Sequence, residues 1–340
     1  MANKKKDKKI SELLNLRLLA DGITVEYTDA LYVDLSAVKT PPKPLYRLDV
    51  RGYRYYYLLD DQGNPQFFTS VTTMIKNTMP TPPQLTKWLI EQGGDEDEAK
   101  ERMAYGTFLH SLCAQLMITG TLNLDELPNK LQQFSATEKI QYKEEWLPEI
   151  KKDALSFAQF LIDHQVRPLG IEMLLYHPTD GYAGAIDIIA QLIVEEKGFF
   201  GEVYASGVNK GQPKETKREV MVNAIIDVKS GRKSFYESYE LQLAAYREMW
   251  NIHYPDIPIE KIYNFSPKDF RGVTPTYNFK DQTAAKSLKK LPMLVELNRI
   301  EEERKENNIL MIEGIIDLKK GIADNIKEKT LTELVKEGKP

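Results

Sequence analysis

Two aspartates stand where carboxylates are expensive. Asp187 interrupts Gly184-Ala185-Ile186-Asp187-Ile188-Ile189, and forty residues later Asp227 interrupts Ala224-Ile225-Ile226-Asp227-Val228-Lys229. Both runs have the apolar, β-branched character of buried strands, where an unpaired carboxylate costs several kcal/mol. Side chains two apart on a strand share a face. Asp227 and Lys229 therefore point one way, and Ile226 and Val228 point into the core. Two such anomalies on neighbouring strands are relieved by a shared cation, and magnesium accepts a few carboxylates plus water. Lys229 narrows the chemistry further. Metal storage has no use for an ammonium beside the carboxylates. A hydrolase does, to orient water, assist its deprotonation or stabilise charge on a phosphorane-like transition state. The plainer alternatives are a solvated strand-end Asp187 and an exposed Asp227–Lys229 pair worth less than about 1 kcal/mol.

The elements that would position these residues follow from periodicity and turn chemistry. Strands are expected at 170–177, 183–194, 220–229 and 259–265, with a helix at 95–117 before them and another at about 235–250 between the last two. A long amphipathic helix is expected over 137–164, interrupted near Pro148, and a charged helix over 282–306. Residues 22–79 read as β-rich, with Asp60-Asp61-Gln62-Gly63-Asn64-Pro65 as a turn and a helix start capped by Thr69 or Ser70. The tail beyond Leu310 reads as one or two amphipathic helical pieces. This order predicts an α/β core, a mixed β-sheet flanked by helices.

Composition sets bounds on this reading. The chain has 340 residues, 42% apolar and 28% charged, as expected of a soluble globular protein with a substantial core. Its single cysteine, Cys113, excludes a disulfide framework and any four-cysteine zinc or iron–sulfur site. No stretch approaches the ~20 apolar residues of a membrane span, and the lysine-rich start lacks the apolar run of a signal peptide. A cytoplasmic protein without membrane contact is the expectation. The net charge of −4 does not advertise a polyanion partner, but Lys210 to Arg218 and Lys229 with Arg232 and Lys233 are local basic clusters. The second lies beside the acidic pair, where positive charge would meet a phosphate backbone.

Asp187 with Asp227-Val228-Lys229 resembles the PD-(D/E)XK nuclease superfamily, and the flanking residues look most like its RecB-type and phage-type exonuclease branch. Gly106-Thr107-Phe108-Leu109-His110 is similar to that branch's G-T-x-x-H helix. Gly184-Ala185-Ile186-Asp187 matches G-x-x-D, Asp227-Val228-Lys229-Ser230-Gly231 matches D-x-K-[S/T]-G, and Gln242 to Tyr246 matches Q-x-x-x-Y. The resemblance spans roughly 66–266. It implies a restriction-endonuclease-like core over 66–275, with an insertion at about 195–219 where the family has a short hairpin. Around the core it leaves a basic disordered tail at 1–10, a β-rich segment at 11–65 and a helical extension at 276–340. It further implies a Mg²⁺- or Mn²⁺-dependent deoxyribonuclease, an exonuclease first, acting in DNA recombination, repair or phage DNA processing; several relatives carry a four-cysteine iron–sulfur cluster, which this chain with its one cysteine cannot hold. The expected setting is a bacterial or phage-infected cell, with DNA as partner and recombination or replication proteins as further candidates.

On that resemblance His110, Asp187, Asp227 and the Val228 carbonyl hold metal. Lys229 positions water, Glu172 supports the metal set, and Thr107, Gln242, Tyr246, Arg232 and Lys233 hold DNA. An endonuclease of the same fold, and a non-catalytic DNA-binding or scaffold protein that keeps the fold, are the competing expectations.

Overall fold

The structure is a computed structural model. It describes residues 16–18, 25–27, 35–50, 53–80, 86, 96–231, 235–270, 272–304, 308–311 and 327–337. Arg232 and Lys233 lie outside this set, as do the whole of the basic tail expected at 1–10 and much of the chain beyond 304.

Two short strands, β1 (Leu16–Leu18) and β2 (Val25–Tyr27), pair antiparallel. A meander of β3 (Tyr46–Val50), β4 (Tyr53–Leu59) and β5 (Pro65–Ser70) follows. Its β4–β5 turn is closed by the Asp60 carboxylate, which accepts from the Gln62 and Asn64 amides at 2.9 and 2.7 Å, while Gly63 takes φ +79°. Ser70 then caps helix α1 (Val71–Thr78), its hydroxyl accepting from the Thr73 amide at 3.0 Å. Helices α2 (Glu96–Thr119), α3 (Leu127–Glu138) and α4 (Leu147–Asp163) come next. Strands β6 (Arg167–Tyr176), β7 (Tyr182–Val203) and β8 (Pro213–Val228) lead to α5 (Glu237–His253). Strands β9 (Lys261–Lys268) and β10 (Thr276–Asp281) precede α6 (Leu291–Arg304). The described chain closes with β11 (Asn308–Met311), β12 (Lys327–Thr330) and α7 (Leu331–Lys336).

Among the described residues eight strands form one mixed sheet. The order runs β10-β9-β8-β7-β5-β4-β3, with β6 also paired to β7. Two large apolar clusters cover its centre. One joins Ile188, Ala190, Ile226 and Val228 to Phe108, Leu109, Phe157 and Phe160 of α2 and α4. The other joins Ile186, Ile189, Ile225 and Ile262 to α1, α5 and α6 through Met74, Leu243, Trp250 and Leu294. Covered on both sides, β7 over 182–194 and β8 over 222–228 must be apolar nearly throughout, which is why their two aspartates stand out in the sequence. Helix α4 presents Ile150, Ala154, Phe157 and Leu161 to the core at helical spacing. Among the described residues no helix is long and apolar enough to cross a membrane.

The α/β architecture agrees with the sequence reading, and several details correct it. The helix expected over 137–164 starts only at Leu147: residues 137–138 end α3, a turn and a short 3-10 helix (Glu144–Trp146) follow, and Pro148 sits in the first turn of α4, where a missing amide proton costs nothing. Strand β10 and a short 3-10 turn (Lys286–Lys290) occupy the start of the helix expected at 282–306 and the residues before it. In the tail, β11 and β12 pair antiparallel where helix was expected. Residues 195–219 do not interrupt β7 and β8 but prolong them. Glu195 opposes Glu219, and the register holds to Phe199 opposite Glu215 before one bulge.

Candidate metal centre

The site lies where the sheet forks. On one edge of β7, β5 pairs in parallel at Thr69–Tyr182 and Ser70–Ala183, while β8 pairs antiparallel from Ile188–Ile226 onward. Between these ladders the edge of β7 from 184 to 187 has neither strand beside it. Extending the β7–β8 register by one pair sets Asp187 opposite Asp227. There the Asp187 side chain replaces the missing ladder bond, Oδ2 accepting from the Val228 amide at 2.8 Å. The long ribbon is the reason the interval between the aspartates can grow without disturbing them, since each added ribbon pair preserves the register.

Helix α2 brings His110 over the fork. Its Nε2 lies 2.8 Å from the Val228 carbonyl; a carbonyl only accepts, so this nitrogen carries the proton. That leaves Nδ1 facing Asp187 Oδ1 at 3.6 Å and Glu172 Oε1 at 3.7 Å. One donor atom from each of His110, Glu172 and Asp187 falls within 4.8 Å of the other two. Glu172 reaches the group from β6 at φ +47°, a left-handed backbone that costs a glutamate of order 1 kcal/mol or more. The β6–β7 register is the same at Ile171–Ile188 and at Met173–Ile186, which sets Glu172 across from Asp187.

The electrostatics are those of a crowded acidic pocket. Burial by itself would lower His110, but the carboxylates of Asp187 and Glu172 outweigh it and hold the imidazole up at about 9. Burial raises Asp187, with Glu172 adding to the rise and His110 opposing it. Asp227 is only 1% exposed and is pushed up to about 6, chiefly by burial and then by Asp187, against the pull of Lys229. Without a metal, the protonated His110 ring is the counter-ion of the two facing carboxylates. A divalent ion could take that place, held by carboxylate oxygens and an imidazole nitrogen.

Lys229 sits on the far side of the fork. Its Nζ donates to Asp227 Oδ1 at 2.8 Å and to Gln242 Oε1 at 3.3 Å, and it lies 4.4 Å from the centre of the Tyr239 ring. Burial works against its charge, yet Asp227 and Asp187 raise it, so it stays an ammonium. Gln242 Nε2 in turn donates to the Tyr246 hydroxyl at 2.8 Å. Tyr246 packs so closely on β7 that a Cβ at Gly184 would come within 2.7 Å of its ring.

The structure brings His110, Glu172, Asp187, Asp227 and Lys229 together and revises several expected roles. Glu172 joins His110 and Asp187 in the donor group, and Asp227 accepts from Lys229 through Oδ1 and from Asn264 through Oδ2, which leaves each of its oxygens a second lone pair. The Val228 carbonyl accepts from His110 and keeps one lone pair. Gln242 and Tyr246 are 9% and 3% exposed and form a chain inward, Gln242 Oε1 accepting from Lys229 while its amide nitrogen donates to the Tyr246 hydroxyl. Thr107 is exposed, its hydroxyl bonded back to the Met103 carbonyl at 3.1 Å. Gly106 lies inside α2, where a Cβ would stand 3.2 Å from the Ser230 hydroxyl. Asn264 and Tyr239 were missed. Asn264 was findable by the rule that exposed the aspartates, a polar residue within an apolar strand.

A second group, His177, Asp180 and Glu248, also has donor atoms within 4.8 Å of one another. There Nδ1 of His177 accepts from the Asp180 amide at 3.0 Å, which uses the one lone pair of a neutral imidazole. It reads as the brace of a hairpin turn. His164 and His253 likewise bond the Ile193 and Tyr176 carbonyls, at 2.7 and 2.8 Å.

Searched against models of protein families the chain matches none, and no curated protein matches it either.

Proposed function

We propose that this protein is a metal-dependent nuclease of the PD-(D/E)XK type that hydrolyses phosphodiester bonds in DNA. The observation that carries the reading is the fork. A buried and a half-buried aspartate from adjacent strands, an imidazole and a strained glutamate converge there beside a lysine that remains charged. Structural ion pairs do not call for this convergence, and replacing them with apolar residues would relieve both burial and strain. His110 Nδ1, Glu172 and Asp187 would hold a Mg²⁺ or Mn²⁺ ion, with Asp227 closing the set from β8. Such an ion supplies a Lewis acid for the phosphate and a lowered pKa for bound water. Lys229, fixed by Asp227 and Gln242, donates hydrogen bonds toward a water or a phosphate oxygen and stabilises developing negative charge. Asp227 holds the lysine charged and in place. The resemblance of the residues around the fork favours an exonuclease acting in recombination, repair or phage DNA processing.

The test uses the wild type with Asp227→Ala and Lys229→Ala, linear single- and double-stranded labelled DNA, closed circular DNA, and Mg²⁺ or Mn²⁺. Metal-dependent loss of linear DNA is expected, with the closed circle spared and each variant at least about a hundredfold slower. Cutting of the circle assigns an endonuclease. No hydrolysis by wild type, or variants as fast as wild type, overturns the proposal.

A further inference from the structure

We propose that Asn264 and Gln282 are positioning residues for Asp227, forming a buried amide relay that presets the centre's affinity for its metal; this rests on the metal-dependent reading above. In the parallel β8–β9 ladder Asn264 lies directly opposite Asp227. Its Nδ2 donates to Asp227 Oδ2 at 2.7 Å, and its Oδ1 accepts from Gln282 Nε2 at 2.9 Å. Gln282, just beyond β10, is itself pinned by its amide, which donates to the Ile262 carbonyl at 2.9 Å.

The direction of the relay follows from chemistry. An ionised carboxylate only accepts, so Asn264 must turn its NH₂ to Asp227 and its oxygen away. That oxygen needs a donor, and Gln282 supplies one. Reversing the Asn264 amide would set two acceptors face to face at Asp227 and two donors face to face at Gln282.

Burial makes the arrangement informative. Asn264 and Gln282 are 0% and 2% exposed, so water cannot take over either bond. The neighbours Tyr263 and Phe265 are core residues, and an apolar side chain at 264 would serve folding alone as well. What the relay adds is a fixed carboxylate: Oδ2 is held by Asn264 and Oδ1 by Lys229, so the group cannot rotate. A cation then meets an acceptor already aimed, and the outer partners of metal-binding groups typically govern affinity by roughly 10–100-fold.

The experiment measures Mn²⁺ binding to the full chain without nucleic acid, by the paramagnetic resonance signal of free Mn²⁺. Denaturant midpoints are recorded in parallel. Asn264→Leu is expected to weaken Mn²⁺ binding about tenfold or more. Gln282→Leu, which touches no carboxylate, weakens it in the same direction by less. The double variant binds no more weakly than Asn264→Leu alone, because Gln282 acts through Asn264. A merely structural role would shift the midpoints and leave Mn²⁺ affinity unchanged, and that result overturns the relay. Additive losses overturn it too. Should Asn264→Leu fail to fold, Gln282→Leu decides, and unaltered affinity there sinks the proposal. Wild type that binds no Mn²⁺ refutes the metal centre itself. Wild type that binds Mn²⁺ with the predicted variant pattern but cuts no DNA upholds the relay and refutes the nuclease.

Discussion

At the residue scale, His110 links the metal-free state to the metal-bound one. Its ring bonds the Val228 carbonyl through Nε2 and faces two carboxylates through Nδ1, so proton and metal compete for one nitrogen. With the imidazole held at about 9, the proton is present at neutral pH and must leave when a metal binds. Calorimetric titration with Mn²⁺ at pH 7.5, in buffers of different ionisation enthalpy, should therefore report release of about one proton per ion. A buffer-independent heat would remove His110 from the donor set. The same shift has a stability consequence in the absence of metal. The stabilisation from a raised His is fully present below its unfolded value near 6.5 and disappears as pH climbs through about 9. Urea unfolding of metal-free protein at pH 6 and 9.5 should show that loss, no larger than about 3 kcal/mol, and His110→Gln should lack it.

At the element scale, the fork depends on glycines that differ in what they touch. Gly184 lets α5 approach β7 until Tyr246 fills the space a Cβ would need, at 2.7 Å from a ring that is itself buried. Gly184→Ala should destabilise by about 1–3 kcal/mol and, by displacing Tyr246 and Gln242, slow hydrolysis through Lys229. Gly106 meets only the hydroxyl of Ser230 at 3.2 Å, an atom that can rotate away. Alanine there gains up to about 1 kcal/mol of helix propensity, so Gly106→Ala should be neutral or mildly stabilising. Thermal melts and initial rates of both variants check the contrast. Equal effects would mean that the close contact at Gly184 does not matter.

At the scale of the whole molecule, the β7–β8 ribbon and the fork are separable. The core register is set by the pairs from Ile188–Ile226 to Val194–Val220, while Phe199, Val203 and Val208 farther out are exposed. Replacing residues 197–217 with Asn-Gly would join the facing residues Glu196 and Arg218 by a tight turn suited to a two-residue hairpin. The shortened protein should fold, keep its Mn²⁺ affinity and hydrolyse short DNA at the wild-type rate. Loss of Mn²⁺ binding in a folded product would show that the ribbon shapes the centre.

The sequence by itself determined the existence of a charged site and the class of fold. A carboxylate within an apolar β run is anomalous whatever surrounds it, and Asp187, Asp227 and Lys229 could be picked out on that ground alone. Periodicity likewise gave the alternation of strands and helices, because burial on one or two faces imprints itself locally. Partnership was decided only by the tertiary structure. That Asp187 and Asp227 are cross-strand neighbours depends on a register carried by residues 188–194 and 220–226, and no local pattern reveals how strands pair across a long ribbon. That Glu172 joins His110, that Gln242 and Tyr246 face inward, and that Asn264 and Gln282 clamp Asp227 all follow from which faces meet when α2 and α5 close on the sheet. Helix boundaries around Pro148 and the strand at 276–281 were misjudged for a related reason. Proline both breaks and begins helices, and an edge strand carries too little burial to mark its sequence.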